Sequence, residues 1–262
     1  MIAHVSILVA SSLCLAYACL NLYALFWANS LIFPVPQSSY RDEDTTLKLK
    51  DNKGETISAY FLPAEDSERL LLYSHGNGED IGDIRPLMEL FQQRGISVLA
   101  YDYPGYGTSS GTPSEQGCYA AADAAFDYAT NELGYSSKQI VLYGRSLGGG
   151  PATWLAEQAS FAGLILDGTF TSTFRVLTGV KLLAWDRFDN YARLPNIEAA
   201  TLILHGTEDR TVPISHAQKN WKVINEPKDR LIVEGAHHGN LIEVAGEAYW
   251  TTVIPFIKGG IK

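Results

Sequence analysis

The sequence predicts an α/β fold in which helices cover an eight-stranded, mostly parallel sheet, with one apolar helix ahead of the domain. Short apolar runs rich in β-branched and aromatic residues alternate with longer stretches of helical spacing. The first part of the chain is apolar and free of charge. The 262 residues, 46% of them hydrophobic, suffice for one large packed domain. We therefore expect a membrane anchor over residues 1–33 and one folded domain over residues 34–262.

The segment from Val5 to Phe33 contains no Asp, Glu, Lys or Arg. It is long enough to cross a bilayer, because a membrane-spanning helix needs about 20 apolar residues. A cleaved signal peptide would need a positively charged start, and residues 1–10 offer only the amino group and His4. We therefore predict an uncleaved, single-pass anchor that contacts membrane lipid. A lipid-modified Cys19 and a buried core helix are the alternatives.

The distribution of positive charge predicts the side of the membrane on which the domain lies. No Lys or Arg precedes the apolar segment, whereas Arg41, Lys48 and Lys50 follow it. Because segments rich in Lys and Arg stay in the cytoplasm, this bias favours a cytoplasmic domain.

Eight short apolar runs are the predicted strands: Thr46–Lys50, Thr56–Leu62, Arg69–Ser74, Ser97–Tyr103, Gln139–Tyr143, Gly163–Asp167, Thr201–His205 and Arg230–Glu234. The first two should form an antiparallel hairpin across Asp51–Gly54, since Asn and Gly suit a turn.

Helical spacing predicts five helices in the folded domain: Asp83–Arg94, Ser114–Leu133, Ser146–Gln158, Ile214–Val223 and Ile242–Ile257. Gly95, Gly134 and Gly259 follow three of them, where helix ends favour a left-handed residue.

Charge argues against nucleic-acid binding, and the positions of the cysteines exclude a disulfide inside the folded domain. The net charge is −9, and no run of five or more basic residues offsets it, so nucleic acid is not an expected partner. Cys14 and Cys19 lie in the apolar segment, which leaves Cys118 without a partner for a disulfide inside the domain. We expect Cys118 to be a buried small apolar residue.

A nucleophile motif follows the fifth predicted strand. Gly144-Arg145-Ser146-Leu147-Gly148 stands between an apolar run and a helical stretch, which is the context that G-x-S-x-G requires. Its glycines leave room for a sharp, strained turn that exposes Ser146 at the carboxyl edge of the sheet. Glycine-rich turns of nucleotide-binding folds share this pattern, so the motif alone leaves both interpretations open.

A serine hydroxyl reacts only when a base takes its proton and an acid orients that base. The seventh predicted strand leads into a loop with Glu208 and Asp209, and the eighth leads into His237 and His238. Because parallel strands end at one edge of a sheet, an acid and a histidine should lie beside Ser146. Each residue alone could instead be a turn, cap or solvated loop residue.

The loop His75-Gly76-Asn77-Gly78 follows the third predicted strand. A tetrahedral intermediate needs backbone N–H groups aimed at its oxyanion, and this loop lies where one can be supplied. We assign the amides of Asn77 and Leu147 to an oxyanion hole and expect His75 to brace the loop. A plain glycine turn is the alternative if Ser146 does not react.

Together, these residues resemble the α/β-hydrolases, and within them a membrane-anchored BEM-like subgroup of serine hydrolases related to protein depalmitoylases and serine aminopeptidase-like hydrolases. The resemblance runs from about Ser30 to the carboxyl terminus. It rests on five segments: Ser30–Pro34, Ser74–Gly78, Asp102–Gly107, Gly144–Gly149 and His205–Asp209.

The resemblance implies a role for three residues. The nucleophile falls on Ser146, the acid on Asp209, which Val212-Pro213 follows, and the base on His238, the last residue of a Gly-x-x-His motif. His237 departs from the pattern because relatives often have glycine there, so two adjacent histidines compete for the role of base. Gly239-Asn240 also replaces the Asn-Asp often seen after that histidine.

The sequence thus predicts a serine hydrolase that cleaves carboxylic esters or thioesters through an acyl-Ser146 intermediate, with no metal or organic cofactor. Only Gly168 to Ala200 lie between the sixth and seventh strands, too few for a lid domain, and an open site suits lipid-like or acylated substrates. Apolar residues of this insert either line an acyl-binding wall or pack as core: Phe170, Phe174, Leu177, Leu182, Leu183 and Trp185. A serine aminopeptidase-type peptide hydrolase and a catalytically inert, membrane-tethered binding scaffold are the alternative functions.

Overall fold

The structure, a computed structural model of the chain, describes residues 2–42, 47–180, 183 and 185–259. The chain divides into two units, Met1–Pro34 and Val35–Lys262. Two positions named in the sequence analysis, Thr46 and Leu182, lie outside the described residues.

The amino-terminal unit is one helix, α1 (Ile2–Ile32). Its stretch Val9–Ile32, 24 residues long, is long and apolar enough to cross a membrane. A signal sequence near the amino terminus would meet the same criteria of length and composition.

Eight strands form the sheet of the second unit in the described part of the chain. They are β1 (Leu47–Lys50), β2 (Thr56–Leu62), β3 (Leu70–Ser74), β4 (Ser97–Tyr101), β5 (Ile140–Arg145), β6 (Gly163–Asp167), β7 (Thr201–Gly206) and β8 (Lys228–Val233). Every predicted strand is present: β2 and β6 have the predicted bounds, and the ends of the other strands differ by at most two residues.

The described helices of this unit are α2 (Ile81–Gln92), α3 (Glu115–Asn131), α4 (Gly149–Gln158), α5 (Thr173–Thr178), α6 (Asn190–Arg193), α7 (Ser215–Val223), α8 (Leu241–Ala245) and α9 (Glu247–Ile257). The short helices α5 and α6 lie in the insert between β6 and β7 and were not predicted.

Three predicted helices differ from the structure for local reasons, and the other two, observed as α3 and α7, differ by at most two residues at their ends. The single helix over Ile242–Ile257 is wrong, because Gly246 adopts φ +54° and breaks it into α8 and α9. The helix predicted from Ser146 starts with a short 3₁₀ turn, and α4 follows it. Helix α2 begins before Asp83, because the Asp80 carboxylate accepts the backbone N–H groups of Gly82 and Asp83 and so caps the first turn. The Asp83 carboxylate accepts the backbone N–H of Asp80 in return.

The strand order is β1-β2-β4-β3-β5-β6-β7-β8. Strand β2 is antiparallel to both of its neighbours, and all other neighbouring strands are parallel. The predicted β1–β2 hairpin is confirmed, with Leu47 opposite Ala59 and Lys50 opposite Thr56. The parallel strands therefore end at one common edge.

The core lies along the central strands, where β3, β4 and β6 are buried over their whole length. Burial on both faces explains why these strands are continuous apolar runs rather than alternating ones. Cys118 is buried in α3, as predicted. The edge strand β8 is different, since only its last residue, Val233, is buried.

Candidate active site

Ser146 stands on a sharp turn at the carboxyl edge of the sheet. Strand β5 ends at Arg145, and Ser146 itself has φ +51°, a left-handed conformation that costs a non-glycine residue about 1–2 kcal/mol. The turn also packs tightly on the end of β3, because a Cβ at Gly148 would lie 2.0 Å from the Ser74 carbonyl oxygen. The sequence thus holds the Ser146 hydroxyl outward at a strained, closely packed position.

The structure brings Ser146, His238 and Asp209 into one hydrogen-bonded chain. The Oγ of Ser146 lies 2.9 Å from Nε2 of His238, and Nδ1 of His238 lies 2.7 Å from Oδ2 of Asp209. A carboxylate only accepts hydrogen bonds, so the Nδ1 atom carries the proton of a neutral ring. The lone pair of Nε2 therefore faces the serine hydroxyl.

The Asp209 carboxylate is buried and fixed by its own loop. Its Oδ1 accepts the N–H groups of Thr211 at 2.9 Å and Val212 at 2.8 Å. Burial alone would raise the pKa of Asp209, but the hydrogen bonds from His238 and the Val212 amide lower it below its ordinary value. Asp209 is therefore held as an anion that can orient His238.

His237 and Glu208, the sequence neighbours of His238 and Asp209, lie apart from this hydrogen-bonded chain. His237 is exposed, and its backbone N–H donates to the Asn240 side chain at 2.8 Å. Glu208 is exposed as well, and its backbone N–H donates to the Ala236 carbonyl. The geometry thus joins Ser146 to His238 and not to His237.

The loop after β3 lies directly against the turn that carries Ser146. Strand register sets Ser74 opposite Gly144, and a Cβ at Gly76 would lie 3.6 Å from the Ser146 Cβ. Asn77 is exposed in this loop, and its Oδ1 accepts the Tyr106 hydroxyl at 2.5 Å. Leu147, the other residue assigned to an oxyanion hole, is buried in the 3₁₀ turn after Ser146.

Sequence reasoning missed a carboxylate that connects this loop to the turn that carries Ser146, which we call the Glu79 bridge. One oxygen of Glu79 accepts the Gly76 N–H at 2.6 Å, and the other accepts from the Arg145 guanidinium. Arg145 is mostly buried and keeps its proton, because the Glu79 carboxylate more than offsets burial and raises its pKa. A charged residue inside the glycine motif, directly before the serine, is the signal that points to such a partner.

His75 is buried beneath the loop, as a bracing residue would be. Its Nδ1 lies 2.8 Å from the Gly76 carbonyl oxygen and its Nε2 lies 3.4 Å from the Asp102 carboxylate. Its ring also packs on Tyr103, with centroids 4.2 Å apart. Burial opposes protonation, but the hydrogen bond and charge of Asp102 raise the pKa of His75 above its ordinary value.

Two further histidines lie behind the acid loop. His205 is fully buried, and its Nε2 lies 2.8 Å from the Val212 carbonyl oxygen. Burial lowers the pKa of His205, although the hydrogen bond to Val212 opposes that shift. His216 accepts the Thr171 N–H through Nδ1 at 3.2 Å, and burial lowers the pKa of His216 to about 4. Both rings are neutral structural groups at neutral pH.

Of the six residues predicted to line an acyl wall, the structure describes the side chains of four, and those of Leu177 and Leu182 lie outside the described part. Phe170 and Leu183 are buried, whereas Phe174 and Trp185 are half-buried in edge-to-face contact with centroids 5.1 Å apart. Core packing therefore explains the first pair. Among the described residues, no group of three or more His, Cys, Asp or Glu side chains could hold a metal ion.

Known proteins share this chain's sequence pattern. Residues 69–178 match the family model described as alpha/beta hydrolase fold. Alpha/beta hydrolase domain-containing protein 17B from Homo sapiens is 33% identical over 217 residues, which is 80% of this chain and 75% of that protein. The same protein from Xenopus laevis is 34% identical over 217 residues, with the same coverage.

Solved structures share the fold. An esterase from Pyrococcus furiosus superposes with a TM-score of 0.72, at 16% identity, covering 86% of this chain and 96% of the esterase. An esterase from Exiguobacterium antarcticum gives a TM-score of 0.64, at 17% identity, covering 80% of this chain and 98% of that chain.

Proposed function

This chain belongs to the α/β-hydrolase family, and we propose that it is a serine hydrolase that cleaves carboxylic esters or thioesters through an acyl-Ser146 intermediate. The observation that carries the proposal is the hydrogen-bonded chain from Ser146 through His238 to Asp209. Its order along the sequence, Ser, Asp, His, is the order of this family. The left-handed conformation of Ser146 supports the same role.

In the acylation step, Ser146 Oγ attacks the carbonyl carbon of the substrate while its proton passes to His238 Nε2. Asp209 stabilises the charged imidazole that results and keeps its ring oriented. The carbonyl oxygen becomes an oxyanion, which the backbone N–H groups of Asn77 and Leu147 stabilise by hydrogen bonds. The Glu79 bridge holds the loop that carries Asn77 against the nucleophile turn.

The intermediate collapses by breaking the bond to the leaving group, which takes the proton from His238 Nε2. Water then attacks the acyl carbon, gives its proton to His238, and forms a second tetrahedral intermediate. When that intermediate collapses, Ser146 regains its proton and the carboxylic acid leaves. Each proton that His238 accepts is returned within the same half-reaction.

Lipid-like or acylated substrates fit this proposal best. The family resemblance to protein depalmitoylases and the apolar helix α1 both favour an acyl chain in the substrate. The insert between β6 and β7 holds only the short helices α5 and α6 in its described part, which suits an open site.

Labelling with a fluorophosphonate probe tests the proposal. The wild-type protein should be labelled, whereas Ser146→Ala and His238→Ala should not, because the first lacks the nucleophile and the second lacks its base. His237→Ala is the matched control and should label like the wild type, since its side chain is exposed outside the chain of contacts. A folded wild type that stays unlabelled would favour the binding scaffold, and labelling that survives Ser146→Ala would show that Ser146 is not the nucleophile.

We also propose that residues 1–33 anchor the chain as a single membrane-spanning helix, with the catalytic domain 34–262 on the cytoplasmic side. The length and composition of Val9–Ile32 and the Lys and Arg residues after it support this arrangement. Protease treatment of intact cells should leave the domain uncut, and fractionation should keep it with membranes. A domain released in soluble form would show that the segment is removed.

A further inference from the structure

The reaction above gives no role to the cavities that His238 lines, and one of them carries an excess of acidic side chains. This cavity, about 390 Å³, lies beside His238, and residues of α2 and α8 line it. Apolar side chains from both helices contribute, namely Ile84, Leu87 and Ile242. It is large enough for one or two side chains of a bound molecule.

Carboxylates outnumber cations in this cavity. Glu79, Asp83 and Glu243 line it together with Arg145, which is the cation among the described lining residues. Arg145 already pairs with Glu79. The carboxylates of Asp83 and Glu243, both on exposed residues, therefore have no cation of the cavity to balance them.

A buried hydroxyl adds an independent sign of a binding site. Tyr73 lines the same cavity and is 1% exposed, yet its hydroxyl has no hydrogen-bond partner among the described residues. A buried polar group without a partner is unfavourable, so a bound polar group that reached it would be stabilised.

The position beside His238 identifies which half of a substrate the cavity can hold. The proton on Nε2 goes to the leaving atom, so the leaving group must lie on the His238 side of the scissile bond. His238 and its neighbours Gly239 and Asn240 line this cavity. A second cavity at His238 holds one acid and one cation, Glu208 and Arg210, and so has no comparable excess of negative charge.

We propose that this cavity binds the leaving group, and that Asp83 and Glu243 select a peptide thiol with Lys or Arg beside the acylated cysteine. This inference rests on the proposed function. The apolar side chains accommodate the aliphatic stems of Lys and Arg, while the two carboxylates pair with their charged ends. The thioester C–S bond breaks, the acyl carbon bonds to Ser146 Oγ, and the cysteine sulfur takes the proton from His238.

The side on which the acids lie argues against an aminopeptidase. The amino-terminal residue of an aminopeptidase substrate forms the acyl-enzyme, so its free amine belongs to the acyl half. Asp83 and Glu243 lie on the leaving-group half, where a basic peptide can use them and a free amino terminus cannot.

Two S-octanoyl-cysteine peptides that differ only in flanking residues, Lys in one and Glu in the other, test this selection. The measured quantity is the ratio of kcat/KM for the Lys peptide to that for the Glu peptide, with the neutral ester p-nitrophenyl butyrate as a third substrate. An exposed ion pair changes binding by about two- to fivefold, so two acids predict a ratio of about tenfold at low salt. The ratio should fall towards one in 1 M salt, because salt screens exposed charges.

Substitutions in the cavity test whether Asp83 and Glu243 cause the preference for the Lys peptide. Glu243→Gln and Asp83→Asn should each lower the ratio about two- to fivefold, and Glu243→Lys should lower it further. Glu65→Gln is the matched control, because Glu65 is an exposed acid in the loop before β3, at the opposite edge of the sheet. It removes the same charge from the protein and should leave the ratio unchanged.

The outcomes separate this inference from the proposed function. A wild-type ratio near one, with the neutral ester still hydrolysed, would overturn the inference and leave the serine hydrolase intact. Equal falls of the ratio in Glu65→Gln and Glu243→Gln would also overturn it, because overall charge would then explain the selectivity. If no substrate were hydrolysed and no fluorophosphonate bound, both proposals would be wrong.

Discussion

Replacing Glu79 by Ala tests whether the loop after β3 depends on a carboxylate bridge. In the native protein one Glu79 oxygen accepts the Gly76 N–H at 2.6 Å, and the other accepts from Arg145. The Ala variant loses both contacts at once. The Gly76 amide then has no carboxylate acceptor, and the mostly buried Arg145 has no anion beside it.

The size of the effect follows from these contacts. A hydrogen bond to a charged group contributes about 1.5–3 kcal/mol to stability. Because both side chains are partly exposed, Glu79→Ala should lower the free energy of unfolding by a value near the lower end of this range, about 2 kcal/mol. Complete loss of an oxyanion donor lowers kcat by about 10²–10³. Loosening the loop weakens the Asn77 donor without deleting it, so kcat should fall about 10- to 100-fold while KM changes little.

Steady-state hydrolysis of p-nitrophenyl butyrate and thermal unfolding measure the two effects separately. Glu79→Gln is the matched variant, because its amide oxygen can still accept the Gly76 N–H although the charge is gone. It should keep most of kcat and lose only stability, as should Arg145→Met. A folded Glu79→Ala protein with wild-type kcat would refute the positioning role of the bridge.

Three further changes have expected outcomes. Asp209→Asn should lower kcat by about 10⁴ without unfolding the protein, because the imidazole loses the anion that orients it; an unchanged kcat would contradict this. Gly148→Ala should lower the free energy of unfolding, measured with urea, by about 1–3 kcal/mol or more, because its Cβ would overlap the Ser74 carbonyl. Gly239→Ala should leave this free energy unchanged, because nothing lies within 4 Å of a Cβ there. The free energy of unfolding should decline as pH falls from 6.5 towards 4. In this range His216 binds a proton in the unfolded chain, whereas in the folded protein it does so only near pH 4. His216→Asn should reduce that decline by up to about 1.4 kcal/mol per pH unit, and an identical decline would contradict the assignment.

Local sequence patterns predicted most of the fold because its elements are bounded by local signals. The resemblance to α/β-hydrolases is confirmed by the family comparisons. The glycines after three helices, Gly95, Gly134 and Gly259, all adopt positive φ. The break at Gly246 was missed, because one glycine inside a helical pattern is compatible with both a continuous and an interrupted helix.

Parts of the site depend on contacts that sequence patterns do not reveal. Strand ends located Ser146, an acid and a histidine at one edge of the sheet, and the family resemblance then implied Asp209 and His238 rather than their neighbours. The partnership of Glu79 and Arg145 spans 66 residues and arises only because β3 pairs with β5. No local pattern encodes such a pairing, so a contact of this kind becomes visible only in the folded chain.

The strand that leads to His238 lies at an edge of the sheet and is mostly outside the core. Strand β8 pairs on one side only, with β7, and most of its residues are exposed at least in part. Ser146 instead follows β5, which is paired on both sides and buried. Hydrogen bonds at a sheet edge open at lower free energy than those at its centre. We therefore expect local opening of β8 to displace His238 while Ser146 stays in place, so that any activity that depends on their contact is lost reversibly before the protein unfolds globally.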